Sequence, residues 1–131
     1  MTRTRIISLV VFCLYIAAVC YLCFAKPDNI PVVQFSFFGL PIDRPVHFLM
    51  FLPFPLLAFN AFDSEGAKVG RRALLISGIA AAGMALAVMT EYIQGLLAYR
   101  SQDAYDLLSD FLGLSTGVVI VIVYMIFRKL R

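Results

Sequence analysis

Charged residues are scarce in this sequence of 131 residues. They make up 15% of the chain, whereas about 25% is usual for a soluble domain. Apolar residues make up 62%, and the mean hydropathy is +0.91. A soluble domain of this size has no interior large enough to bury that much apolar surface. The composition therefore excludes an ordinary soluble protein and predicts a single-domain integral membrane protein.

Several motifs of known chemistry are also absent from the sequence. The chain has no nucleophile elbow, phosphate-binding glycine loop, zinc-finger spacing or basic aromatic patch, and it shows no internal repeat. Cys20 and Cys23 form a C-x-x-C pair inside an apolar stretch, where free cysteine behaves as a small hydrophobic residue. These absences argue against nucleic-acid binding, against a transporter built from inverted repeats, and against redox or metal chemistry at the cysteines.

Four apolar stretches are each long enough to span a membrane as a helix, since about 20 residues cross the hydrocarbon core. The predicted fold is all-α, a single domain over residues 1–131. Pro53 and Pro55 are expected to kink the second helix. The loop over residues 26–44 is aromatic and apolar, and it is expected either at the lipid–water interface or over the helix ends. The predicted transmembrane helices lie at about residues 6–25, 45–62, 73–98 and 104–127.

Lysine and arginine are distributed unevenly between the two ends of the predicted helices. Eight lie near the chain termini or between the second and third helices, and three lie at the opposite ends. Because cytoplasmic loops carry an excess of Lys and Arg, both termini are predicted to be cytoplasmic. The net charge of +3 then reflects membrane topology rather than affinity for nucleic acid. The eight are Arg3, Arg5, Lys68, Arg71, Arg72, Arg128, Lys129 and Arg131; the three are Lys26, Arg44 and Arg100.

Ionisable residues cluster near the extracytoplasmic ends of the last three predicted helices. Such groups are costly at or near hydrocarbon, so their presence predicts a functional site. His47, the only histidine, lies four residues after Asp43. Glu91 and Gln94 are three residues apart and share one helix face. A stripe along the last helix follows steps of three and four residues and consists of Asp103, Asp106, Asp110, Gly113 and Gly117.

These motifs resemble the VanZ-like family of membrane proteins. The family has a D-K/R-x-x-H-F element at the start of one helix, an E-x-x-Q element, an arginine, and D-x-x-x-N-x-x-G opening the last helix. The resemblance covers about residues 43–117, and one position departs from it, because Asp110 stands where the family pattern has asparagine. It implies a small protein of the bacterial cell envelope, since the founding member is associated with resistance to teicoplanin. The matching residues are Asp43, Arg44, His47, Phe48, Glu91, Gln94, Arg100, Asp106 and Gly113.

Three functions remain open from the sequence. The first is a protein that binds or protects an envelope lipid, a lipid-linked precursor or a glycopeptide at the outer side of the cell membrane. The second is a membrane enzyme acting on a phosphate-bearing lipid headgroup, with His47, Glu91 and Asp106 as catalytic groups. The third is a structural subunit of a homo-oligomer or membrane complex. Six residues are predicted to bind substrate: Asp43, Arg44, Gln94, Arg100, Asp103 and Asp110.

Each member of the cluster also has a structural explanation. Asp103 is suited to cap the last helix, with Asp106 favoured in its first turn by the helix dipole. Arg100 is expected to neutralise Asp106 or Glu91. Asp106 and Asp110 are one helical turn apart, so they are expected to share a proton unless a cation neutralises them. One imidazole among carboxylates suits Mg²⁺ or Mn²⁺, with Zn²⁺ as a further option.

Overall fold

The computed structural model describes residues 3–26, 36–37 and 39–130. Within these ranges most residues are helical, as expected for a membrane protein of this composition. The short strands β1 (Ser36–Phe37) and β2 (Leu40–Pro41) pair antiparallel ahead of the second membrane segment. Most of the loop predicted for the interface, residues 27–35 and 38, lies outside the described residues. The helices are α1 (Arg3–Phe24), α2 (Asp43–Phe51), α3 (Pro53–Phe62), α4 (Val69–Leu96) and α5 (Ala104–Leu130).

Four helical segments of the described chain are long and apolar enough to cross a membrane, at residues 3–24, 43–62, 69–96 and 104–128. The predicted helical fold with four membrane segments is therefore confirmed. The start of α4 differs from the sequence analysis, which placed residues 63–72 in a connection. Lys68 is extended and precedes the helix, so α4 begins at Val69. Arg71 and Arg72 therefore lie in its first turn, and arginine is a good helix former. Which end of the helices faces the cytoplasm stays a prediction.

The second membrane segment is interrupted at Leu52, between α2 and α3. Pro53 occupies the first turn of α3, and Pro55 follows two residues later. Neither proline has a backbone N–H for the preceding turn, and each ring crowds the carbonyl four residues earlier. Leu52 still donates its backbone N–H to the Phe48 carbonyl at 3.0 Å. The kink predicted from these prolines is thus a local break that keeps α2 and α3 in one membrane segment.

Helix α5 is the centre of the bundle, since it packs against α2, α3 and α4, whereas α1 packs against α3 and α4. Large apolar side chains are exposed around the outside, Leu74 among them at 75% exposure. Such a surface is suited to lipid. Two apolar clusters hold the inside together: Phe54, Ala58, Phe59, Ile79, Leu114 and Val121 form one, and Val19, Cys23, Met50, Phe51 and Ala87 form the other.

Two glycines bring α5 into direct contact with the backbone of the second membrane segment. A Cβ atom at Gly113 would collide with the Phe48 carbonyl oxygen, and one at Gly117 would collide with the Leu52 carbonyl oxygen. The close helix packing predicted for these glycines is confirmed, and it follows the rule that small residues line membrane helix interfaces. The contact fixes the register of α2 against α5 and so brings His47 opposite Asp110.

Candidate functional site

His47 and Asp110 form the centre of the polar cluster. A hydrogen bond of 2.8 Å joins His47 Nδ1 and Asp110 Oδ1, and the exposed fractions of the two residues are 7% and 0%. The residues lie on α2 and α5, one turn from the close contact at Gly113. Since Nδ1 is occupied by Asp110, the other ring nitrogen, Nε2, is free for a different partner.

Two further carboxylates complete the surroundings of the imidazole. Asp106 Oδ2 lies 3.8 Å from His47 Nε2, and Glu91 Oε1 lies 4.0 Å from His47 Nδ1. Glu91 is buried within the bundle near the end of α4, whereas Asp106 is partly exposed in the first turn of α5. Helices α2, α4 and α5 therefore each contribute to one site, as the sequence predicted from their ionisable residues.

The site carries more negative than positive groups. Three carboxylates surround one imidazole, and two of their oxygens, Glu91 Oε1 and Asp110 Oδ2, are buried without a hydrogen-bond partner among the described residues. Buried polar atoms in folded proteins are nearly always hydrogen-bonded, so each exception calls for an explanation. A cation or added hydrogen-bond donors would satisfy both oxygens. The three carboxylates belong to Glu91, Asp106 and Asp110.

The arginines of the cluster do not neutralise these carboxylates. The guanidinium of Arg44 stacks over the Tyr105 ring, with Cζ 4.4 Å from the ring centroid. This cation–π contact joins the start of α2 to the start of α5. Arg100 directs a terminal nitrogen to the carbonyl oxygens of Leu22 and Ala25, at 3.0 and 3.3 Å. The expected pairing of Arg100 with Asp106 or Glu91 is therefore wrong for this structure.

Arg100 belongs to a group of side chains that caps the end of α1. The last carbonyls of a helix have no partner within it, so they need donors from elsewhere. Gln94 Nε2 donates to the Cys23 carbonyl at 3.0 Å, and the Tyr99 hydroxyl donates to the Phe24 carbonyl at 2.7 Å. Gln94 and Arg100 thus tie α1 to the end of α4, apart from the imidazole. Sequence reasoning missed Tyr99, because no pattern showed which helix end lay beside it.

Asp103 caps the start of α5, as the sequence predicts. Its Oδ1 accepts the Tyr105 backbone N–H at 2.8 Å, and its carbonyl accepts the N–H groups of Asp106 and Leu107. Its own backbone N–H donates to Glu91 Oε2 at 3.3 Å. Asp103 therefore holds one oxygen of Glu91 in place and leaves the other, Oε1, facing His47. Asp43, at the exposed start of α2, makes no ion pair within the described residues.

An open cleft lies beside Glu91. Its volume is about 290 Å³, and it runs between the end of α4 and the start of α5. Gln102, which sequence reasoning did not select, stands in its wall and also lies against Gly95. The cleft makes Glu91 reachable from outside the bundle although its side chain is almost fully buried. The residues that line it are Glu91, Gln102, Asp103, Ala104 and Leu107.

This arrangement supports two kinds of chemistry. A carboxylate that fixes one imidazole nitrogen leaves the other nitrogen oriented, either to accept a proton or to bind a cation. A reachable carboxylate beside it can accept hydrogen bonds from hydroxyl or ammonium groups. The central residues are His47, Glu91, Asp106 and Asp110, called the imidazole–carboxylate site below.

Comparison with known proteins identifies the family. No solved structure matches the chain. A relative from the fission yeast Schizosaccharomyces pombe, named uncharacterized protein C11E3.10, is 25% identical over 122 residues, which are 93% of this chain and 65% of the relative. The chain thus spans less than two thirds of that relative's length. The sequence model described as VanZ/LLP1 matches residues 12–128, which confirms the resemblance found in the motifs. Since this match covers nearly the whole chain, the protein belongs to the VanZ/LLP1 family.

Proposed function

We propose that this protein binds the polar headgroup of a membrane lipid or lipid-linked molecule at the imidazole–carboxylate site. The observation that carries the proposal is the pair of buried, unpartnered oxygens, Glu91 Oε1 and Asp110 Oδ2, together with an open cleft that Glu91 lines. A headgroup with hydroxyl or ammonium donors, or one accompanied by a cation, would satisfy them. The distribution of Lys and Arg supports a site on the extracytoplasmic side of the membrane.

The unpartnered oxygens favour binding over a purely structural role. A polar network that only locks helices together stabilises them when every buried member is satisfied, and a half-satisfied network is worse than an apolar core. Here Asp103 holds one oxygen of Glu91, yet the other points at the imidazole without a donor. Glu91 also lines the open cleft between α4 and α5. A structural subunit would need neither feature.

The fission yeast relative favours a lipid over a cell-wall precursor or a glycopeptide. That relative aligns with 93% of this chain, and yeasts do not build the peptidoglycan whose precursors bacteria attach to lipids. A ligand common to both kinds of organism is a membrane lipid. Binding of teicoplanin, a place in the bacterial cell envelope and a bacterial origin stay predictions from the resemblance.

A second function, acid–base catalysis on the bound headgroup, is favoured by one specific observation. The hydrogen bond from His47 Nδ1 to Asp110 leaves Nε2 directed towards Asp106, 3.8 Å away. Histidines that act as general bases are commonly oriented in this way, by a carboxylate hydrogen-bonded to the other ring nitrogen. In this account His47 would move a proton at Nε2 while Glu91 holds the headgroup.

Binding is tested by native mass spectrometry of the purified full chain, titrated with phosphatidylethanolamine, phosphatidylglycerol and phosphatidylcholine in detergent. One lipid class is expected to bind with one molecule per chain. Asp106→Asn should weaken that binding at least tenfold, because it removes a charge from the rim of the site. Glu65→Gln, which neutralises an exposed carboxylate between α3 and α4, is the matched control and should bind as the wild type does.

The outcomes separate the proposals. Equal binding of all three lipids, unaffected by Asp106→Asn, would reject a specific headgroup site. Chemical conversion of the bound lipid, seen as a change in its mass on incubation and lost in Asp106→Asn, would favour the enzyme over the binding protein.

A further inference from the structure

Three residues of the site lie at the spacing of metal ligands. One ligand atom from each of His47, Glu91 and Asp106 falls within 4.8 Å of the other two. Neighbouring ligand atoms bound to one ion at about 2.0–2.2 Å lie about 3–3.6 Å apart in tetrahedral or octahedral geometry. A contraction of about 1 Å, through rotation of the two carboxylate side chains, would bring all three onto one ion.

A second, independent observation points to a ligand at this place. Glu91 is 2% exposed, and its Oε1 has no hydrogen-bond partner among the described residues. It is aimed into the cluster and lies 4.0 Å from Nδ1 of His47. Its other oxygen is held by the Asp103 backbone N–H, so the direction of Oε1 is fixed rather than accidental. A buried carboxylate oxygen with no donor nearby is costly unless a cation or a proton accompanies it.

We propose that this chain holds one divalent metal cation between His47 Nε2, Glu91 and Asp106. Asp110 does not belong to the direct ligands: it fixes the ring through Nδ1, as carboxylates do behind many metal-binding histidines. Among the ions that suit one imidazole with carboxylates, the two direct carboxylates and the imidazole nitrogen favour Mn²⁺, with Zn²⁺ next because it binds imidazole well. The ion would also neutralise carboxylates that Arg44 and Arg100 do not pair with, since these arginines contact Tyr105 and the end of α1.

This inference rests on the proposed function, that the site binds a lipid headgroup. It adds that the bound metal would determine which headgroup is accepted. A divalent ion at the base of the cleft attracts a phosphate, which bare carboxylates would repel. The headgroup is then a phosphate-bearing one, whether it comes from a phospholipid or from another lipid phosphate. Free inorganic phosphate shares this chemistry and serves as the comparison.

The test is a Mn²⁺ titration of the purified full chain after treatment with EDTA, followed through the electron paramagnetic resonance signal of free Mn²⁺. One ion per chain is expected. Glu91→Gln and Asp106→Asn should each weaken binding at least tenfold, and Glu65→Gln should leave it unchanged. No saturable binding, or unchanged binding in both site variants, would overturn the inference.

A second measurement does not depend on whether the variants fold. In wild-type protein labelled with ¹⁵N-histidine, bound paramagnetic Mn²⁺ should broaden the ring signals of the chain's single histidine beyond detection at one equivalent, and Zn²⁺ should shift Nε2. Sharp, unshifted signals would contradict a metal on His47.

Lipid titrations with and without EDTA then distinguish the two proposals. Phospholipid binding that needs Mn²⁺ and competes with inorganic phosphate supports both. Lipid binding that persists in EDTA would reject the metal inference and keep the proposed function. Metal binding without retention of any lipid would reject the proposed function and keep the metal.

Discussion

Gly113→Ala is expected to lower the unfolding temperature markedly, although alanine is the better helix former. The added Cβ would meet the Phe48 carbonyl oxygen and lie close to the Leu52 backbone nitrogen. A backbone cannot rotate aside as a side chain can, so α2 must move away from α5. Overpacking of this kind costs about 1–3 kcal/mol. Since Phe48 follows His47 directly, the shift should also lengthen the His47–Asp110 hydrogen bond and weaken headgroup binding.

The matched control is Gly78→Ala on α4, where an added Cβ has no neighbour within 4 Å. That substitution should leave stability unchanged or raise it by up to about 1 kcal/mol through helix propensity. With Cys13 and Cys20 replaced by alanine, a thiol-reactive dye that reports exposure of buried Cys23 follows unfolding of both variants in detergent. Equal unfolding temperatures for Gly113→Ala and Gly78→Ala would contradict the close packing of α5 on α2.

His47→Ala is expected to destabilise the protein by about 3 kcal/mol, because a buried carboxylate that loses its hydrogen-bond donor costs more than the roughly 1–3 kcal/mol of a neutral acceptor. Asp110 would lose its hydrogen-bond donor while fully buried, and Glu91 and Asp106 would face it without the imidazole between them. Binding of both headgroup and metal should be lost. Thermal unfolding with the same dye measures the effect.

Asp110→Asn provides the comparison. The asparagine Oδ1 can still accept from His47 Nδ1, and one repelling charge is gone, so the single variant should stay close to wild-type stability. In the double variant His47→Ala with Asp110→Asn, no buried charge is orphaned at position 110. It should therefore regain more than half of the stability lost by His47→Ala alone. Losses that simply add would show that the two side chains do not act as a pair.

Much of the site could be predicted from the sequence because membrane segments make ionisable residues conspicuous. His47, Glu91 and Asp106 were selected on that ground, and the structure brings them together around one imidazole. The alternating steps of three and four along α5 likewise predicted the stripe that ends in Gly113, since helical periodicity alone places these residues on one face. Both inferences need only local geometry and the cost of burying charge.

The partners of the long side chains could not be predicted. Arg100 and Gln94 were assigned to substrate because they stand beside the acidic residues, yet both donate to carbonyls at the end of α1. Which helix end lies beside a given side chain depends on how the helices are ordered in the bundle, and no single-sequence pattern encodes that order. The same holds for Arg44, whose partner Tyr105 opens a helix about 60 residues later in the chain.

Both proposals depend on Asp110 holding His47 through Nδ1 and leaving Nε2 free to face the site. Nuclear magnetic resonance of ¹⁵N-histidine-labelled protein in detergent, treated with EDTA, tests it directly, because the chain has one histidine and therefore one pair of ring nitrogens. We expect a protonated Nδ1 with a strongly hydrogen-bonded proton that is kept in Asp110→Asn and lost in Asp110→Ala, beside an unprotonated Nε2. A protonated Nε2 with a bare Nδ1, unchanged by Asp110→Ala, would contradict it.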